Sequence, residues 1–184
     1  MHGDRPSSET VLIVSATAPV PLDNGKRVVL HGMLDYFVDR LGPDNVHYAM
    51  LGDAGSRRPP FPGVAHRLDK PRSTSQLATL ARRFITDRSC SVQEAILGSR
   101  VLREQIGALV AWLRPTVEIY DTLRLGQHAP AEPRARRRVL YLDDLFSVRY
   151  ERMLAVAAQG DFVMDPLGQF VDFVPVPLRA LVRH

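Results

Sequence analysis

The stretch "TVLIVSATAPVPLDNGKRVVLHGMLDYFVDRLGP" (residues 10–43) decides the fold. Its first six residues, Thr10 to Ser15, are β-branched or apolar almost throughout. That is the signature of a strand buried on both faces, as in a parallel sheet. A loop with Pro19, Pro21 and Gly25 follows, and Lys26 and Arg27 stand where it ends. From there Leu30, Met33, Leu34, Phe37, Val38 and Leu41 recur at helical spacing, so one face of a helix over 26–41 is apolar. Gly42-Pro43 stops it. A buried strand, a stiff turn and an amphipathic helix form the first half of a βαβ unit.

The rest of the chain repeats the alternation. "NVHYAML" (45–51) and "VAHRL" (64–68) read as strands around the loop "GDAGSRRPPFPG" (52–63). Two helices should follow. Ser73 or Ser75 opens one, with Leu77, Leu80, Ala81, Phe84 and Ile85 on its apolar face. Ser91 and Glu94 form a capping box for the other, which runs to about Leu113 before Pro115. "TVEIYD" (116–121) and "VLYLDD" (139–144) are a fourth and a fifth strand, and "SVRYERMLAVAAQ" (147–159) is a helix closed by Gly160. Residues 1–9 are polar and read as a loose N-terminus. Residues 10–184 are expected to form one α/β domain, with a parallel sheet and helices on both faces.

Bulk composition narrows the function classes. A chain of 184 residues suits a single domain, since domains run roughly 100–200 residues. Cys90 is the only cysteine, so an internal disulfide is excluded, as befits a reducing cytoplasm. It sits between Ser89 and Ser91 near an expected helix start, with no partner in sequence that marks it as a nucleophile. The start "MHGDRPSSE" lacks the apolar core of a signal peptide, and no apolar run reaches the roughly 18 residues of a membrane span. The net charge is +4, carried almost wholly by arginine, with Lys26 and Lys70 the only lysines. A basic balance permits anionic partners without choosing among them. The arginines of "GQHAPAEPRARRR" (126–138) have no aromatic residues between them on which bases could stack. They read as a solvated loop, and a nucleic-acid partner is not expected.

In a parallel α/β sheet, ligands bind beyond the carboxyl ends of the strands, where strand order reverses. Three features share that edge: the 16–27 loop, Asp121-Thr122, and Asp143-Asp144. Gly25 lets a ligand approach the backbone, the next amides open a helix, and Lys26 and Arg27 add positive charge. The same residues also fit a plain turn in which Asp23 or Asn24 caps the helix. The loop is neither a GxGxxG fingerprint nor a P-loop. Asp143 and Asp144 suit a metal ligand, a base, a phosphoacceptor or a helix cap, and no further oxygen ligands can be assigned. The histidines (His2, His31, His47, His66, His128 and His184) show no metal-binding spacing, and no GxSxG motif or catalytic triad order is present.

"VLIVSATAPVPLDNGKRVVLHGMLDYF" resembles the start of a family 4-type glycosyltransferase of the GT-B fold, and "RVLYLDDLFSVRYERML" with "DPLGQFVDFVP" is similar to a later part of the same N-terminal domain. The resemblance covers most of residues 10–178. It implies a Rossmann-like domain that receives the acceptor and faces, across a cleft, a second domain that binds the nucleotide-sugar. It implies that Gly25, Lys26 and Arg27 lie near the donor diphosphate and that Asp121, Asp143 and Asp144 line the acceptor side. It assigns no catalytic residue, and no metal or other cofactor is expected. The family's donor-domain signature, two glutamates separated by seven residues, is absent, and by the family's standard the N-terminal domain over 10–184 is expected to be truncated. A second chain supplying that domain, peripheral contact with the inner face of the membrane, and no transfer by this chain alone are the corresponding expectations. The alternative is a non-catalytic interaction module derived from such an enzyme.

Overall fold

The computed structural model describes residues 9–52, 61–71, 97–131 and 137–142, together with 151, 152, 155 and 156. Five strands form one parallel sheet: β1 (Val11–Ser15), β2 (Val46–Leu51), β3 (Val64–Leu68), β4 (Val117–Asp121) and β5 (Arg137–Tyr141). Their spatial order is β3-β2-β1-β4-β5. β1 is central, with Ile13 level with Tyr48 of β2 on one side and with Ile119 of β4 on the other. The chain walks outward from β1 through β2 to β3, then returns to start β4 on the other flank of β1. The reversal point lies between β1 and β4.

α1 (Gly25–Leu41) covers one face. Leu30 and Leu34 are buried, and Met33, Phe37, Val38 and Leu41 pack beside them onto Val11, Ile13, Val46, Tyr48, Met50 and Ile119. The alternating residues of the same strands, Leu12, Val14, Ala49, Leu51 and Tyr120, face the other side. There they meet Leu102, Ile106 and Val110 of α2 (Arg100–Leu113) and Leu125 of the short α3 (Leu123–Gly126). Helices thus cover both faces, as the unbroken apolar strands require. Next to α1, on its own side, an apolar groove of about 650 Å³ runs over β4 and β5 between Met33, Phe37, Val117, Ile119 and Val139. No helix among the described residues is long and apolar enough to cross a membrane.

Local chemistry sets most element limits. The Asn24 side chain accepts from the Arg27 amide at 3.0 Å, so Asn24 is the cap that starts α1. Gly42, at φ 82°, ends it, its amide donating to the Val38 carbonyl. Gly63, at φ 107°, leads into β3, and a Cβ there would stand 2.8 Å from the Val46 carbonyl oxygen. Only glycine satisfies both the backbone angle and that approach.

Two elements differ from the sequence expectation. α2 begins at Arg100, capped by Ser99, whose hydroxyl accepts from the Leu102 amide at 3.3 Å. Ser91 and Glu94, expected to open this helix, lie outside the described residues, as do the residues of the helix expected from Ser73 or Ser75 and most of the expected 147–159 helix, of which Glu151, Arg152, Ala155 and Val156 are helical. β5 is Arg137–Tyr141 where 139–144 was expected: it begins two residues early, taking in the end of the arginine run, and ends at Tyr141, three residues short. The reason is Glu118, which points into the sheet packing with no exposure and accepts from Arg138 Nε at 2.9 Å and from the Tyr120 hydroxyl at 2.9 Å. Arg138 also donates to the Pro130 carbonyl at 2.8 Å. A buried carboxylate needs a cation, and register with β4 brings Arg138 beside it.

Two consequences can be measured. Removing one partner of a buried ion pair strands the other, at a cost of about 3–5 kcal/mol. Arg138→Met should therefore destabilise the chain by about 3 kcal/mol in chemical denaturation, and Glu118→Met combined with Arg138→Met should recover most of that loss. The second concerns His47 Nδ1 and His66 Nε2, which face each other at 2.9 Å across β2 and β3. Burial lowers the pKa of His47, and burial followed by the charge of His47 lowers that of His66. Both then bind protons less readily in the fold than in the unfolded chain, so stability is full above about pH 6.5 and falls as pH drops below it. Thermal midpoints of wild type should decline between about pH 7 and pH 5, and His47→Gln combined with His66→Gln should flatten that part of the curve.

Candidate functional site

The carboxyl ends of β1 and β4 carry polar residues where every preceding position is apolar or tied into the sheet. β1 ends in Ser15 and β4 in Asp121, both buried. They are 106 positions apart in the chain, yet the Ser15 hydroxyl donates to Asp121 Oδ2 at 2.6 Å. Lys26, in the first turn of α1, places Nζ 3.0 Å from the same oxygen. No described group hydrogen-bonds Asp121 Oδ1, although this oxygen is buried too. The Ser15 hydroxyl also accepts from the Thr17 amide at 3.1 Å, and the Tyr48 hydroxyl donates to the Thr17 carbonyl at 2.7 Å. Burial, reinforced by the Asp121 charge, pushes the Tyr48 phenol well above its ordinary pKa, against the opposing pull of Ser15 and Arg27. Tyr48 is therefore a neutral donor that fixes the start of the proline loop.

Thr122, directly after Asp121, has φ 73° and ψ 158°. That region is nearly reserved for glycine and costs a side-chain-bearing residue about 1–3 kcal/mol. Its amide donates to the Tyr141 carbonyl at 2.9 Å, and its carbonyl accepts from Leu125 and Gly126. These bonds hold the strained turn and with it the Asp121 side chain. Strain of this kind concentrates at ligand sites.

The expected site residues divide three ways. Gly25, Lys26 and Asp121 come together at the point where strand order reverses. Arg27 sits on the same turn, but its guanidinium is engaged by Asp23, with Nη1 2.7 Å from both carboxylate oxygens. Its amide is taken by the Asn24 cap. Asp143 and Asp144 lie outside the described residues. Ser15 and Tyr48 were not singled out from the sequence, and Thr122 was named there only together with Asp121, without its backbone conformation. Ser15 does show there as a polar residue closing an apolar strand, whereas nothing in the sequence marks a threonine for positive φ. Among the described residues no group of three histidine, cysteine, aspartate or glutamate side chains is placed to hold a metal.

This arrangement can do two kinds of chemistry. The first-turn amides of α1 have no intrahelical acceptors and lie at the positive end of the helix dipole, which together with the Lys26 ammonium favours an anion. Asp121, an acceptor held by two donors on one oxygen, favours a hydroxyl or another donor on the second. Compared with protein-family models, with curated sequences and with solved structures, the chain finds no match in any of the three.

Gly25 bears on access to this edge. A Cβ built on it meets nothing within 4 Å. The fold therefore has no steric need of glycine here, whereas a ligand drawn to the first-turn amides does. Gly25→Val should leave the near-UV circular dichroism unchanged and the thermal midpoint within a few degrees of wild type, a shift of about 1 kcal/mol or less.

Proposed function

We propose that this chain is the acceptor-side, Rossmann-like domain of a family 4-type GT-B glycosyltransferase, moving a sugar from a nucleotide-sugar to a saccharide, lipid-linked or small-molecule acceptor. One observation carries the reading: the first turn of α1, with Lys26, meets Asp121 at the reversal point of a β3-β2-β1-β4-β5 parallel sheet. This is where open α/β sheets bind ligands, and a helix start with a lysine suits the negative charge that builds on a departing diphosphate. The sequence resemblance over residues 10–178 supplies the reaction class.

In this reading the diphosphate lies against Gly25 and Lys26. Asp121 faces the acceptor hydroxyl, and Arg27 contributes through the field of its Asp23 pair rather than by direct contact. The sugar-nucleotide is enclosed by a second domain facing this edge, so the chain on its own binds weakly and does not transfer. Contact with the membrane surface would serve lipid-linked acceptors. No metal is required, since helix amides and Lys26 offset the leaving-group charge.

Heteronuclear NMR titration tests it. UDP or GDP should shift the amides of Gly25, Lys26 and Thr17 with a dissociation constant of about 1 mM, the affinity of roughly 4 kcal/mol expected of half a site. Lys26→Ala and Gly25→Val should each weaken that binding severalfold. Shifts confined to residues away from the carboxyl edge, or none at all, would overturn the reading. So would transfer from UDP- or GDP-sugars by the isolated chain at rates ordinary for enzymes, about 1 per second or more.

A further inference from the structure

The apolar groove beside α1 has no part in the site at the carboxyl edge. Its helix wall is Val29, Met33 and Tyr36. Their spacing along α1 reaches Arg40 one turn further on, and the Arg40 guanidinium lies over the Tyr36 ring, 5.4 Å from its centre. Its strand wall is Arg137, Val139 and Tyr141, the alternate residues of β5 that face this side. α1 ends at Leu41, shortly before β2 starts, and Val46, Val11, Val117 and Arg137 stand level across the sheet. Arg40 and Arg137 therefore lie at the same, amino end of the groove. Both walls are otherwise aliphatic or aromatic. Among the described residues no carboxylate pairs with either guanidinium.

Val29, Tyr36 and Val139 are 40%, 54% and 44% exposed, so the apolar surface is open and contiguous, as binding surfaces are. Gly32 also lines the groove, in mid-helix where other residues are favoured, and a Cβ there meets nothing within 4 Å. Packing within the chain does not require that gap, whereas an occupant of the groove does.

We propose that this groove binds a single long-chain fatty acid, its carboxylate held at the amino end of the sheet by Arg40 and Arg137 and its alkyl chain laid along β5 toward Tyr141. Size argues for one chain. Ten residues line a volume of about 650 Å³. That lies within the roughly 300–1,000 Å³ of small-molecule sites and falls short of the roughly 20–30 residues that each side of a protein interface brings. From Arg137 to Tyr141 the strand wall runs about 13 Å at roughly 3.3 Å per residue, the scale of an alkyl chain. Charge argues for the head. A guanidinium meets a planar carboxylate with paired N–H donors, and one stands on each wall at that end. The site is separate from the function proposed above, which concerns the carboxyl edge.

The test titrates octanoate, decanoate, dodecanoate and decanol into the whole chain and follows the methyl NMR resonances of Met33, Ile119 and Val139. Affinity should rise about fourfold for each methylene added from octanoate to decanoate. Decanoate should bind about tenfold more tightly than decanol, the effect of hydrogen bonds between charged groups. Arg40→Ala combined with Arg137→Ala should close that gap to within about twofold and leave decanol binding unchanged. Gly32→Leu should abolish binding of both without lowering the thermal midpoint, because leucine is the better helix former. The wild-type comparisons stand whether or not the variants fold. Equal affinity for decanoate and decanol would overturn the proposal, as would shifts that ignore chain length or fall outside the groove. So would a dimer in sedimentation that Gly32→Leu dissociates, which makes a second copy the occupant. Binding to phosphatidylglycerol vesicles without binding to decanoate would overturn it too, in favour of a membrane surface. The response of Gly25 and Lys26 to UDP is a separate readout, so either site can fail alone.

Discussion

A single buried carboxylate organises this molecule's carboxyl edge. Asp121 ends β4 and receives Ser15 from β1 and Lys26 from α1 on one oxygen. Sheet pairing and the apolar face of α1 bring the three elements together, and Asp121 joins them at their carboxyl edge. Sheet pairing aligns β1 with β4 but would allow any residue types at their ends. A charge with 1% exposure does not allow that freedom, because it must be met by donors. The apolar face of α1 lays the helix on the sheet, and in that placement its first turn brings Lys26 within 3.0 Å of Asp121.

The opposite end of the same two strands is held by neutral groups. The Thr116 hydroxyl donates to the Thr10 carbonyl at 3.0 Å and accepts from the Thr10 amide at 3.1 Å. β1 and β4 are thus clamped at both ends, by a neutral pair below and a charged one above. The outer strands are fixed by different means. Glu118 and Arg138 join β4 to β5, and Asp69 with Gln105 joins the end of β3 to α2 through paired hydrogen bonds of 3.0 and 2.7 Å. The sheet's hydrophobic pairing supplies the bulk of its cohesion, while these polar contacts choose which edge stays open and polar.

Much of this was legible in the sequence, and what was not has physical causes. β3 falls on residues 64–68 as read, and β1, β2, β4 and α1 lie within a residue of their expected limits, because apolar runs and helical spacing are direct images of burial. The parallel α/β class followed from the same runs. β5 was misplaced because an edge strand is half polar, and its arginines look like loop until Glu118 is known to need one of them. α3 was missed because four residues carry too little periodicity to register. At the site, the helix start and Asp121 were visible as residue types at strand ends. Their mutual pairing was not, since distance across a sheet has no trace in one sequence. Nor was the strained turn at Thr122, where the conformation is imposed by tertiary hydrogen bonds against the residue's own preference.

The contact between Ser15 and Asp121 spans 106 positions of the chain, and so does the one between Thr10 and Thr116. Contacts this distant in sequence must wait for a long loop to close, and folds rich in them form slowly. The chain can build α1 and α2 from local contacts, but neither helix brings β4 beside β1. The edge that carries Ser15, Lys26 and Asp121 is therefore complete only once β4 has paired with β1. A partly assembled chain, however much helix it holds, has no such edge to offer.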